Sequence, residues 1–211
     1  MERLYKGIHK FQSSHFKREE EFFQRLSTRQ TPEVLFITCA DSRVDPNLVT
    51  QSSPGDLFII RNVGNIVPPH NAIRDKNSVA AALEFAVLEL KVADIIVCGH
   101  SNCGAMQMLR RNDAALLEMP HLKEWVQIAE PVKRIVYRYY HEASNEMKER
   151  ITEKENILMQ IRNIETYPFV EKALETGALK LHGWYYDIGT GRISAYDPET
   201  DAFENIPADG C

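Results

Sequence analysis

Several features that would direct a chain to particular partners are missing from this sequence. There is no basic excess, because 25 Lys and Arg stand against 30 Asp and Glu, a formal charge of −5. No nucleic-acid partner is expected, since one would need a basic face. No run of about 18 apolar residues occurs, so no membrane span is expected. Glu2, Arg3 and Lys6 interrupt the N-terminus, Glu19, Glu20 and Glu21 follow, and no apolar stretch between them reads as a secretory signal. Internal repeats and low-complexity tracts are also absent. Only four cysteines are present, and the cytoplasm is the expected compartment. In a reducing compartment, Cys grouped with His points to a metal or to catalysis rather than to a disulfide framework.

What is present fits one domain over residues 1–211, with a helical arm over 1–30 and a tail over 197–211. Apolar residues make up 44% of the chain, enough to build a core without covalent staples. Residues 2–28 read as an amphipathic helix, with Leu4, Ile8, Phe11, Phe16, Phe22, Phe23 and Leu26 set among charges. Short apolar runs at 34–37, 57–60 and 95–98 read as buried strands. A buried helix is predicted over 79–90, with Ser78 as its cap, and further helices over 121–140, 145–166 and 169–176. Residues 178–187 and 192–196 read as a hairpin about Gly189–Thr190–Gly191. Strands alternating with helices predict an α/β fold whose parallel sheet ends in an antiparallel strand.

In such sheets ligands collect beyond the carboxyl ends of the strands. Cys39 follows the first predicted strand, and His100 and Cys103, spaced H-x-x-C, follow the third. Thiolate and imidazole are zinc ligands, and a catalytic zinc keeps three of them with a fourth position open. Gly104 follows Cys103 at a predicted helix start, where free N–H groups favour an anion. Asp41 and Arg43 complete a C-x-D-x-R pattern on the first loop, where alternate residues face one way. Arg43 would clamp the Asp41 carboxylate beside the metal, or Asp41 would itself become a fourth ligand. Cys98 lies within an apolar run and reads as packing, and Cys211 as a tail residue. The other histidines (His9, His15, His70, His121, His141, His182) show no ligand spacing. Residue chemistry alone therefore predicts a zinc-activated water acting on a small substrate.

Five segments carry a resemblance to a known family. They are C-A-D-S-R-V-D-P at 39–46, P-G-D-L-F-I-I-R-N-V-G-N at 54–65, G-H-S-N-C-G-A at 99–105, T-Y-P-F-V at 166–170 and L-H-G-W-Y-Y-D at 181–187. In order and spacing the chain resembles the β-class carbonic anhydrases. The resemblance implies a four-stranded parallel sheet extended by an antiparallel strand, flanked by helices, with an N-terminal helical arm. It implies Zn2+ on Cys39, His100 and Cys103, an Asp41–Arg43 dyad, and reversible hydration of carbon dioxide to bicarbonate and a proton by zinc-bound hydroxide. A homodimer or higher homo-oligomer is implied as well.

Around the pocket the chain is similar to the plant-like subgroup, which places Gln30 and Phe58 against substrate, with Phe85 where that subgroup has a tyrosine. Gly104 belongs to the same pocket. The other subgroup's tryptophan, part of a non-catalytic bicarbonate site, is replaced by Phe36, so an open zinc site with water as fourth ligand is expected. The segment D-P-N-L-V-T-Q-S at 45–52 resembles the cyanobacterial carboxysomal branch, which implies carboxysome residence and scaffold-protein partners. Three rival readings remain open at this point. One is a zinc hydrolase acting on another small substrate such as carbon disulfide. Another is a non-catalytic protein braced by zinc that recruits scaffold proteins. The last is a thiol redox pair of Cys39 and Cys103.

Overall fold

A computed structural model describes residues 1–72, 76–111 and 114–206. The chain forms two compact units, Met1–Thr31 and Pro32–Cys211. The first contains α1 (Glu2–Lys10), a π-helical turn at Phe11–His15, α2 (Phe16–Arg18) and α3 (Glu20–Leu26). The single helix expected over 2–28 is therefore interrupted, and Glu19 leaves helical geometry with φ −110°. Phe16 and Phe23 stack with ring centroids 5.3 Å apart, which folds this unit on itself. No residue of α1 is buried, and Leu4, Tyr5 and Ile8 stay exposed.

The second unit is built on β1 (Val34–Cys39), β2 (Leu57–Asn62), β3 (Asp94–His100), β4 (Lys180–Asp187), β5 (Arg192–Asp197) and β6 (Ala202–Asn205). Their order in the sheet is β2-β1-β3-β4-β5-β6. The first four strands are parallel, as expected, and β5 and β6 are antiparallel. The sheet thus carries one antiparallel strand more than the sequence predicts, because residues 202–205, assigned to the tail, pair with β5. The turn before β6 has no glycine. Asp201 takes the left-handed position instead, with φ 52°, and accepts the Tyr196 hydroxyl at 2.7 Å. Phe203 then packs against Tyr185 and Tyr196. Cys211 lies outside the described residues.

The remaining helices are α4 (Pro46–Thr50), α5 (Ser78–Glu84), α6 (Gly104–Arg110), α7 (Pro120–Val126), α8 (Glu130–Tyr139), α9 (Asn145–Glu165) and α10 (Pro168–Glu175). The helix expected over 121–140 is split by a 3-10 turn at Gln127–Ala129, where Pro131 starts α8 afresh because it lacks an N–H for a continuous helix. The cap of α5 is Asn77, one residue before the expected Ser78, and its side chain accepts from Val79 and Ala80.

The longest helix, α9, lies on the sheet, and its buried face is unusual. Beside Ile157 and Ile164 it buries Thr152, Glu153, Asn156, Gln160 and Asn163. Three of these polar side chains bond the irregular chain that leaves β2. Asn156 donates to the Gly64 carbonyl at 2.9 Å, Gln160 accepts from Val67 N at 2.9 Å, and Asn163 donates to the Val67 carbonyl at 2.8 Å. Buried backbone without strand partners needs such acceptors and donors. The approach is close because Gly99 and Gly183, on neighbouring strands, leave room for Ile157. A Cβ at Gly99 would stand 2.8 Å from Ile157 Cγ1, and one at Gly183 3.0 Å from Cγ2.

Gly99→Ala is expected to destabilise the fold by about 1–3 kcal/mol through overpacking, read as a lower urea midpoint at unchanged slope. Adding Ile157→Val should recover part of the loss. A midpoint equal to wild type would show that α9 is free to back away.

Candidate metal centre

β1 and β3 are adjacent and in register, with Thr38 opposite Cys98. Cys39 is the last residue of β1 and His100 the last of β3, two residues beyond the apolar run expected over 95–98. Cys103 follows three residues later as the N-cap of α6. The ligand atoms of Cys39, His100 and Cys103 all lie within 4.8 Å of one another, and all three residues are buried. Among the described residues no other His, Cys, Asp or Glu group is gathered in this way.

The donor set fits zinc. His100 Nδ1 lies 2.9 Å from the Ser101 carbonyl, which fixes the ring and leaves Nε2 as the free nitrogen. That Nε2 is buried without a hydrogen-bond partner, an orphan a metal would satisfy. A hydrogen bond from Cys103 is the main cause that brings the Cys39 thiol down to about 4, against the cost of burial, with His100 and the Gly64 amide adding to it. The Gly64 N–H reaches Cys39 Sγ at 3.4 Å. Cys103, bonded to that thiolate and buried, is pushed up instead and keeps its proton. Burial alone would lower His100, but the Cys39 thiolate outweighs it and raises the imidazole. Cys98 is pushed up to about 12 by burial and packs in the sheet.

Asp41 and Arg43 meet as the C-x-D-x-R pattern predicts. Arg43 Nε donates to Asp41 Oδ1 at 2.9 Å and an Arg43 terminal nitrogen to Oδ2 at 2.7 Å, a two-pronged clamp. The clamp holds the Asp41 carboxyl below its usual range. Asp41 Oδ2 lies 3.9 Å from His100 Nε2, beside the ligand group and outside it. Arg43 also donates to the Asn102 carbonyl at 3.0 Å, which ties the loop after β1 to the loop after β3.

Gly104 opens α6 beside Cys103, and a Cβ built there would meet nothing within 4 Å, so space is open next to the ligands. The aromatic pocket residues are not gathered there. Phe58 pairs with Leu35, four residues before Cys39, so about 13 Å of strand separates it from the metal end. Phe58 packs on Phe85, ring centroids 5.9 Å apart, and Phe85 is exposed. Gln30 is exposed and belongs to the first unit.

Sequence reasoning missed the residues that hold the ligand loops. Arg61 donates to the carbonyls of Cys39 and Asp41 at 3.2 and 2.7 Å. Glu153 accepts the Cys103 N–H at 3.0 Å and the Tyr185 hydroxyl at 2.8 Å. Burial pushes Glu153 up, while Tyr185 and the Cys103 amide oppose that. The missed signal is polar residues at 153, 156, 160 and 163, recurring at helical spacing on the face that also carries Ile157 and Ile164.

Comparison with known proteins agrees with this geometry. The family model described as carbonic anhydrase matches residues 34–193. A carbonic anhydrase of Synechocystis sp. is 44% identical over 197 residues, which cover 93% of this chain and 71% of that protein. The structure of the β-carbonic anhydrase CcaA superposes with a TM-score of 0.94 at 42% identity, covering 98% of this chain and 99% of that one. One of two tetrameric β-carbonic anhydrases from Sordaria macrospora has a TM-score of 0.78 at 28% identity, covering 92% and 95%.

Because Cys39 is already a thiolate while Cys103 holds its proton, zinc loading at pH 8 is expected to release about one proton per chain. The count should rise as pH falls and His100 gains its proton. Calorimetric zinc titration in buffers of different ionisation heat reads this number. Release of two protons at a pH where the count no longer changes with pH would show that Cys39 is protonated before loading.

Proposed function

The chain belongs to the β-class of the carbonic anhydrase family, and from that premise we propose that Cys39, His100 and Cys103 hold its zinc while Asp41 and Arg43 govern the water beside it. The protein is a zinc-dependent carbonate dehydratase, interconverting carbon dioxide and bicarbonate. The observation that carries the residue assignment is the buried Cys-His-Cys group with an unpartnered His100 Nε2. Zinc, when bound, makes water a nucleophile near neutral pH, an effect for which carbonic anhydrases are the standard instance.

Two thiolates and a neutral imidazole would leave a bound zinc little net charge, so the Asp41 carboxylate would be needed to orient its water. Asp41 Oδ2, held by Arg43 at 2.7 Å and lying 3.9 Å from His100 Nε2, would accept a hydrogen bond from a water placed there and orient it for attack. Arg43 keeps that carboxylate ionised and aimed, and its bond to the Asn102 carbonyl keeps the clamp in register with the Cys103 loop. The open space at Gly104 suits a small uncharged substrate. The released proton passes to buffer.

A substrate-pocket role for Gln30, Phe58 and Phe85 fits a homo-oligomer. Phe58 lies far along β2 from its own chain's ligands, so it would serve the zinc of a second copy. The exposed apolar side chains of α1 and the exposed Leu48, Phe85 and Leu88 support a homodimer as the minimal unit, and the Sordaria relative is described as tetrameric. No helix among the described residues is long and apolar enough to cross a membrane. A cytoplasmic site, with carboxysome residence and scaffold partners, is the reading drawn from the cyanobacterial likeness.

Stopped-flow hydration with a pH indicator, run beside a zinc count, tests the assignment. Asp41→Asn is expected to lower turnover about 10- to 100-fold with zinc retained. Unchanged turnover would remove Asp41 from the mechanism. Loss of zinc in that variant would make it a ligand instead.

A further inference from the structure

The three ligands are not held equally. Cys39 and His100 end strands of the sheet, where ladder hydrogen bonds and neighbouring strands fix them. Cys103 stands off the sheet, after the left-handed turn at Asn102 with φ 55°, and no side-chain hydrogen bond caps its helix. Its backbone N–H goes to one group, the Glu153 carboxylate of α9, at 3.0 Å. The other Glu153 oxygen is fixed by the Tyr185 hydroxyl at 2.8 Å, and Tyr185 on β4 pairs with Gly99, next to His100. The chain of contacts therefore refers the Cys103 amide back to the strands that carry His100.

We propose that Glu153 is a positioning residue for the metal, setting where the Cys103 thiolate stands through the Cys103 backbone N–H. The inference rests on Cys103 being a zinc ligand. Glu153 is only 3% exposed, in a protein interior where a polar group costs stability unless its bonds are made. Glu153 and Tyr185 also line a cavity of about 460 Å³ with Ser101, Asn102, Arg150 and Lys154. If Glu153 is cut back to alanine, the cavity leaves room for water to reach the amide, and the fold is expected to be retained. That water does not tie the amide to β4, so the ligand loosens.

The test uses the zinc-loaded full chain and follows zinc transfer to a chelating dye, the visible spectrum of the cobalt-substituted protein, and thermal melting. Glu153→Ala is expected to surrender zinc about 10- to 100-fold faster and to change the cobalt spectrum. Glu153→Gln keeps an oxygen for the Cys103 N–H and is expected to restore both. Tyr185→Phe should fall between them. A folded Glu153→Ala protein with wild-type zinc transfer and cobalt spectrum overturns the proposal, as does Glu153→Gln failing as far as alanine. Should the alanine variant not fold, Tyr185→Phe decides, and an unchanged transfer rate overturns the proposal. Failure of the ligand assignment is separate: wild type would carry no zinc, or Cys103→Ser would leave zinc transfer unchanged.

Discussion

The structure depends on hydrogen bonds from one helix to backbone that the sheet cannot serve. α9 lies over β3 and β4, and from there Asn156, Gln160 and Asn163 bond the chain leaving β2, while Glu153 bonds the chain leaving β3. The metal end of a parallel sheet is made of such irregular segments, and their amides and carbonyls are buried. Without side-chain partners each would cost free energy comparable to a lost hydrogen bond. The same bonds that stabilise the fold set where the candidate zinc ligands stand. Gly64 shows the link, since its carbonyl is held by Asn156 and its N–H faces the Cys39 sulfur.

Electrostatics finish what packing begins. Cys39 ionises because a thiol, an imidazole and two amides surround it, and Cys103 keeps the proton that Cys39 gives up. The site is thus prepared for a cation by one fixed negative charge and one displaceable proton. Asp41 brings a second negative charge, which Arg43 balances and orients at short range. In the proposed reading the division is functional: the thiolates and imidazole would hold the metal, and the clamped carboxylate would handle water. Arg61 and Arg43 bond loop carbonyls as well, so the first metal loop is fixed by guanidinium groups on both sides.

Particular elements show how far the sequence could be followed. The strands at 34–37, 57–60 and 95–98 were legible because buried parallel strands are continuous apolar runs. β6 was not, since Asp201 fills a turn position where glycine would have signalled it. The triad and the dyad were legible from residue types at strand ends. Glu153 was not, because a Glu on a charged helix reads as solvated until the helix is placed against the sheet. The pocket assignments of Phe58 and Phe85 came from resemblance, and the register sets both away from the metal end of their own chain.

By itself, the sequence determined which Cys and His residues are candidate zinc donors, the Asp-Arg pair, the parallel α/β plan and, through its motifs, the family and reaction. These are local properties, carried by residue identity and short spacing. Only the tertiary structure decided which cysteine is the thiolate, which nitrogen of His100 is free, and which buried polar groups hold the loops. Each of those depends on contacts between segments far apart in the chain. Glu153 and Cys103 are fifty positions apart, and no periodicity records their 3.0 Å bond.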